Sequence, residues 1–196
     1  MIPAKGGPSS RHLLTINHGL LSRIAVSGTH HIGKSTLIDE FLRVHADFTH
    51  EPEPYAVMVE DSGEEFSAEP CVEDFQRQLQ FNLDRLRQHA PAERVIYERC
   101  PLDFLAYIDA LDPNSVEELL APISDAMQHL DLIVYLPLDD TWLDSEMPKL
   151  QKAVDRRLSA IFRDDAFGVL GSCSARIIEA SGSTARRLRI IESHLA

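Results

Sequence analysis

The chain has 196 residues, of which 44% are apolar and 26% charged, and its net charge is −12. That is about one domain's length, roughly 100–200 residues, in a globular composition that excludes collagen and whole-chain disorder. The acidic balance argues against a protein that coats nucleic acid, which needs a basic face. A few placed cations can still hold a small phosphate ligand.

No run of about 18 apolar residues occurs, so no membrane partner is expected. The three cysteines, Cys71, Cys100 and Cys173, are too scattered for a disulfide framework or a zinc ribbon. A reducing, cytoplasmic setting fits them. Residues 1–21 read as an N-terminal extension. Their apolar stretch is interrupted by Thr15, Asn17, His18 and Gly19, which does not suit an export signal. Residues 22–196 read as one domain.

Arg23 to Ser27 is a short apolar run, predicted as a strand that ends at Gly28. From Lys34 the apolar spacing becomes three and four, through Leu37, Ile38, Phe41 and Leu42, which predicts a helix. Residues 47–55 hold two prolines and read as a strand end passing into a loop. Val72, Phe75, Leu79, Leu83 and Leu86 predict a helix over 72–89, closed by Pro91. Arg94 to Glu98 is a second buried-type strand, and Pro101 opens a helix to about Leu111. Val116 to Leu130 reads as a helix with a break at Pro122. Asp131 to Leu136 is a strand, Gln151 to Arg163 an arginine-rich helix and Ala175 to Ala180 a last strand. Thr184 is the expected cap of a final helix. Strands alternating with helices predict a parallel sheet covered on both faces.

The most informative stretch is Gly28-Thr29-His30-His31-Ile32-Gly33-Lys34-Ser35. It fits G-x-x-x-x-G-K-[ST], between a strand and an amphipathic helix. Gly28 and Gly33 allow turns that a side chain would block. The loop amides form an anion nest, and the helix start adds its positive end. Lys34 supplies a charge for the β- and γ-phosphates, and the Ser35 hydroxyl suits Mg²⁺. Residues 28–36, Thr36 included, are the expected nucleotide-binding set. His30 and His31 are read as cleft or surface residues rather than a metal pair. No guanine-reading Asn-Lys-x-Asp is present, which argues against a GTPase.

The loop, Glu-Pro-Glu-Pro-Tyr at 51–55 and VIYERCPLDFLAY at 95–107 together resemble the P-loop small-molecule kinases and AAA-like ATP-binding domains. The nearest groups are the deoxynucleoside kinases, the thymidylate kinases and nicotinamide riboside kinase-like domains. The resemblance covers about residues 22–196. It implies a three-layer P-loop NTPase fold with five parallel strands and a helical lid at about 138–165. It also implies ATP and Mg²⁺ as cofactors and a small-molecule phosphate acceptor; a homodimer is compatible with it. In such kinases a Glu-Pro after the second strand carries the catalytic base. Glu53 is favoured here, with Glu51 close behind. Glu98 would bind Mg²⁺ with Ser35, and Arg99 an acceptor or phosphate oxygen. Asp103 would cap the next helix or orient Arg99. Arg156 and Arg157 match the lid arginines best, in a stretch that also holds Lys149 and Arg163. Gln76, after Phe75, and Gln80 are candidates for holding an acceptor base, and residues 181–183 for packing on adenine. The competing reading is a nucleotide-binding switch that uses the same cradle on a protein partner.

Overall fold

The computed structural model describes residues 21–61, 63–90, 93–139, 143 and 146–195. Five parallel strands form one sheet: β1 (Arg23–Ser27), β2 (Thr49–Glu51), β3 (Val95–Glu98), β4 (Leu132–Tyr135) and β5 (Arg176–Glu179). Their order is β2-β3-β1-β4-β5, with Ala25 level with Tyr97 on one side and Ile133 on the other. The helices are α1 (Lys34–Val44), α2 (Pro54–Glu60), α3 (Val72–Gln88), α4 (Pro101–Leu111), α5 (Leu120–Met127), α6 (Pro148–Asp164) and α7 (Thr184–Leu195).

Strand alternation sorts the core into two layers. Ile24, Val26, Ile96 and Val134 face α1 and α7, while Ala25, Tyr97, Ile133 and Tyr135 face α3 to α6. Side chains that alternate faces along a strand require this when both faces are covered. β1 sits centrally, with β3 and β4 on either side: the crossover from β1 runs past β3 to β2, and the one from β3 runs back past β1 to β4, so the strand order reverses at β1. The crevice at its carboxyl end is where open α/β sheets take ligands.

Several boundaries differ from the sequence reading. β2 stops at Glu51 because Pro52 has no N–H for the ladder. The stretch 113–127 opens with 3₁₀ turns at Pro113–Ser115 and Glu117–Leu119. Pro122 then falls in the first turn of α5, where its missing N–H costs nothing, so it does not break the helix. α6 begins at Pro148, three residues early, because proline suits the first helical position. Ser183, not Thr184, caps α7: its Oγ accepts the Arg186 N–H at 3.4 Å. Leu21, assigned to the extension, packs against the α1 and α7 layer. Residues 1–20, Pro91, Trp142 and part of the expected lid at 138–165 lie outside the described residues. Among the described residues no helix is long and apolar enough to cross a membrane.

Candidate active site

The loop between β1 and α1 is held by its neighbours at almost every carbonyl. Gly28 has φ +153°, and a Cβ there would stand 2.9 Å from the Leu136 carbonyl oxygen. No other residue fits without displacing β4's exit. Gly33 is left-handed at φ 79° and begins α1. The Gly28 carbonyl accepts from Arg99 Nη1 at 3.1 Å and that of Thr29 from Lys34 Nζ at 2.8 Å. The His30 carbonyl accepts from Gln151 Nε2 at 2.9 Å, and the Ile32 carbonyl from Arg187 Nη1 at 2.7 Å. Carbonyls engaged this way do not compete for the place of an anion, and the start of α1 adds its positive end.

The carboxyl end of β3 supplies the second wall. Glu98 is buried and accepts the Ser35 hydroxyl at 2.9 Å. Arg99 takes a left-handed backbone, φ 77°, unusual for a side chain of its size. That turn sends its guanidinium back under the loop. There Nε donates to Glu53 Oε1 at 2.5 Å, and Nη1 lies 3.7 Å from Asp103. Asp103 is fully buried and fills both expected parts and a third. It accepts the Cys100 N–H at 2.8 Å, which caps α4, and the Gly28 N–H, also at 2.8 Å. Both polar groups of Gly28 are therefore gripped from the β3–α4 junction. Cys100 is buried, and burial pushes its thiol up, so it is a packed residue.

Glu53 stands at the N-cap position of α2 without a side-chain cap bond, and its carboxylate turns instead to Arg99 at the loop. Burial works against its charge, but Arg99 and Lys34 overcome this and hold its carboxyl at about 2. For Lys34, burial and then Arg99 bring the ammonium down to about 8. Burial also opposes the charge of Arg99, and Glu53 more than offsets it, so the guanidinium stays protonated.

These groups line one cleft of about 790 Å³. Its floor is the loop from His30 to Thr36, with Glu98 and Arg99; its far wall holds Glu53, Tyr55, Phe66, Asp74, Phe75 and Gln78. Phe75 stacks on Tyr107 with centroids 4.5 Å apart. The Tyr107 hydroxyl in turn accepts the His30 N–H at 3.0 Å and lies 2.6 Å from His30 Nδ1. The two walls are thus physically joined. Among the described residues no group of three or more His, Cys, Asp or Glu is arranged to hold a metal. Ser35 and Glu98 do pair hard oxygen atoms beside the loop, a donor set that fits Mg²⁺.

The structure brings together Lys34, Ser35, Glu53, Glu98 and Arg99. It does not bring Glu51, Arg156 or Arg157 to the cleft. Glu51 points to the other face of β2, where it pairs with Arg85 and with His89 at 2.7 Å. Arg156 is exposed, and Arg157 is 2.6 Å from Asp109 of α4. Arg163 pairs with Glu179 at 2.8 Å and Lys149 is exposed. Gln76 and Gln80 also lie off the cleft; Gln80 is exposed and bonded to Asp84. Gln78 faces the cleft instead. The signal was present: Gln78 lies three residues after Phe75 and four after Asp74, on one helix face. Gln151 and Arg187, more than a hundred residues from the loop they hold, gave no such signal.

An AAA domain family, AAA_28, matches residues 23–187. The chain belongs to that family. No curated protein matches this AAA domain. Among solved structures, it is similar to the NadR protein in complex with NR, with a TM-score of 0.62 at 17% identity. That match covers 89% of this chain and 51% of NadR, so the AAA domain spans about half of the NadR chain. It is similar to deoxyadenosine kinase from M. mycoides with bound dATP, TM-score 0.59 at 14% identity, over 88% of this chain and 98% of that one. It is also similar to thymidylate kinase from Candida albicans, TM-score 0.55 at 13% identity, over 89% and 91%. At such identities the likeness is one of fold: a P-loop kinase-like α/β domain.

Proposed function

We propose that this AAA domain is an ATP-dependent phosphotransferase whose acceptor is a nucleoside, nucleotide or similar small metabolite. The observation that carries the reading is the sharing of one cleft. A phosphate cradle ending in Lys34 and a carboxylate, Glu53, face each other across space large enough for an acceptor. A switch acting on a protein partner needs the cradle but not the second wall.

ATP would lie with its phosphates on residues 28–36. Ser35 and Glu98 would hold Mg²⁺, which when bound neutralises charge on the β- and γ-phosphate oxygens. Lys34 would sit on the same oxygens, and Arg99 between them and the acceptor. The acceptor oxygen attacks the γ-phosphorus, the bond to the β–γ bridging oxygen breaks, and ADP leaves. The hydroxyl proton passes to Glu53. A carboxyl held near 2 is a weak base but is always ionised at neutral pH. In a loose phosphoryl transfer the proton moves late, so orienting the hydroxyl matters more than base strength.

ADP release from Mg·ATP, measured with and without nucleosides, monophosphates and nicotinamide riboside, tests the reading. Acceptor-dependent release is expected. Turnover that ignores every small molecule but rises with a protein partner would replace it with the switch.

A further inference from the structure

We propose that the acceptor arrives without a phosphate of its own: the far wall takes a neutral or cationic alcohol bearing a flat ring, not a phosphate monoester. This rests on the kinase reading above and narrows its acceptor class. The argument is one of charge. Beyond the cradle the cleft carries two carboxylates, Glu53 and Asp74, and one guanidinium, Arg99. Arg99 already gives Nε to Glu53 and Nη1 to the Gly28 carbonyl. The next guanidinium, Arg77, lies 4.5 Å over the Phe66 ring. It is held by Asp74 at 2.6 Å and by Glu64 at 3.1 Å. Two cations therefore face three carboxylates among the described residues.

A phosphate monoester brings a charge of about −1.5 to −2 at neutral pH and three acceptor oxygens, and is normally met by spare guanidinium or ammonium groups. Here it would meet like charge, and like-charge juxtaposition is how a site rejects a partner. A neutral alcohol pays no such cost, and a cationic one gains from it. The remaining surface suits a ring. Phe75 is backed by Tyr107, and Phe66 leans on Tyr55 with centroids 4.9 Å apart. Faces of this kind attract both flat and cationic groups.

The test is kcat/KM for transfer from Mg·ATP by the full chain. Adenosine, cytidine, thymidine and the cationic nicotinamide riboside are each compared with their own 5′-monophosphate, beside calorimetric binding of ATP. The unphosphorylated member of the best pair is expected to lead by about 100-fold or more. Preference for a monophosphate overturns the inference and leaves the kinase reading standing. ATP binding with no transfer to either class overturns the kinase reading and this inference with it. Asp74→Asn, which keeps the oxygen for the Ser67 N–H, should narrow the preference by about three- to tenfold through better monophosphate binding. An unchanged ratio removes Asp74 from the argument, and the charge of the far wall with it.

Discussion

Lys34 is buried, and its Nζ donates to the Thr29 carbonyl. Its pKa of about 8 lies below the ordinary 10.5. Between those values the unfolded chain binds more protons, so the unliganded protein gains stability as pH rises through that window. ATP follows the opposite course, because it needs the ammonium. Its Kd should climb above pH 8 by up to about tenfold per pH unit in calorimetry. Lys34→Ala should flatten that dependence and abolish transfer. Its melting temperature should stay within a few degrees, since a buried charge is removed with its partner left satisfiable by water. Glu53 works in the other direction. Its lowered pKa contributes stability that is full above the unfolded value of about 4.5 and is lost as pH falls to about 2. Glu53→Gln keeps the shape and an acceptor for Arg99 but cannot take a proton. Turnover should drop about 100-fold with ATP affinity nearly unchanged, read from kcat beside calorimetry. Loss of ATP binding instead would make Glu53 a structural partner of Arg99. At this scale the sequence was informative where chemistry is contiguous, as from Gly28 to Thr36. It left Glu51 and Glu53 unresolved because two Glu-Pro steps look alike until the end of β2 decides which carboxylate turns toward the loop.

Among the elements, α4 matters most to the site, because its first turn reaches two places at once. Asp103 satisfies the N–H of Cys100 at the helix start and the N–H of Gly28 across the sheet end. Asp103→Ala would leave both donors buried and unpaired. At about 1–3 kcal/mol for each such group, the loss in a denaturant titration should reach about 2–6 kcal/mol. The variant should also weaken ATP binding, since the loop loses its anchor; a loss under 1 kcal/mol would mean that water replaces the carboxylate. The start and end of α4 were legible from Pro101 and from Asp112-Pro113. So was the amphipathic face of α3, although the glutamine that faces the cleft is Gln78, between the two candidates Gln76 and Gln80. The direction of Arg157 was not legible, because Asp109 on another helix sets it. Helix periodicity fixes which residues are buried, but not which exposed cation finds a distant carboxylate.

At the scale of the whole molecule, alternating strand and helix signals were enough for the layers. Four of the five strands are short runs centred on aliphatic or aromatic residues; β2, Thr-His-Glu, carries no such run. Strand order was not readable from the sequence, because periodicity does not say which strands pair. The sheet gathers the loop after β1, the start of α2 after β2 and the junction after β3 at one edge, from positions up to about seventy residues apart. A ligand that binds this edge stabilises the fold as a unit. Mg·ATP at 100 times its Kd should add about 2.7 kcal/mol. For a domain of this size that is a rise of about 5–10 °C in thermal melting. No shift at saturating ATP would remove the nucleotide from the account.

The left-handed turn at Arg99 has a practical corollary for anyone altering this protein. A two-pronged head reaches Glu53 with one nitrogen and the Gly28 carbonyl with another. Lysine at that place offers a single nitrogen and has to choose between them. Arg99→Lys, conservative on paper, should therefore behave as a broken hinge pin. It would keep its charge while either the carboxylate or the phosphate loop swings loose, and the two ends of the cleft would no longer keep step.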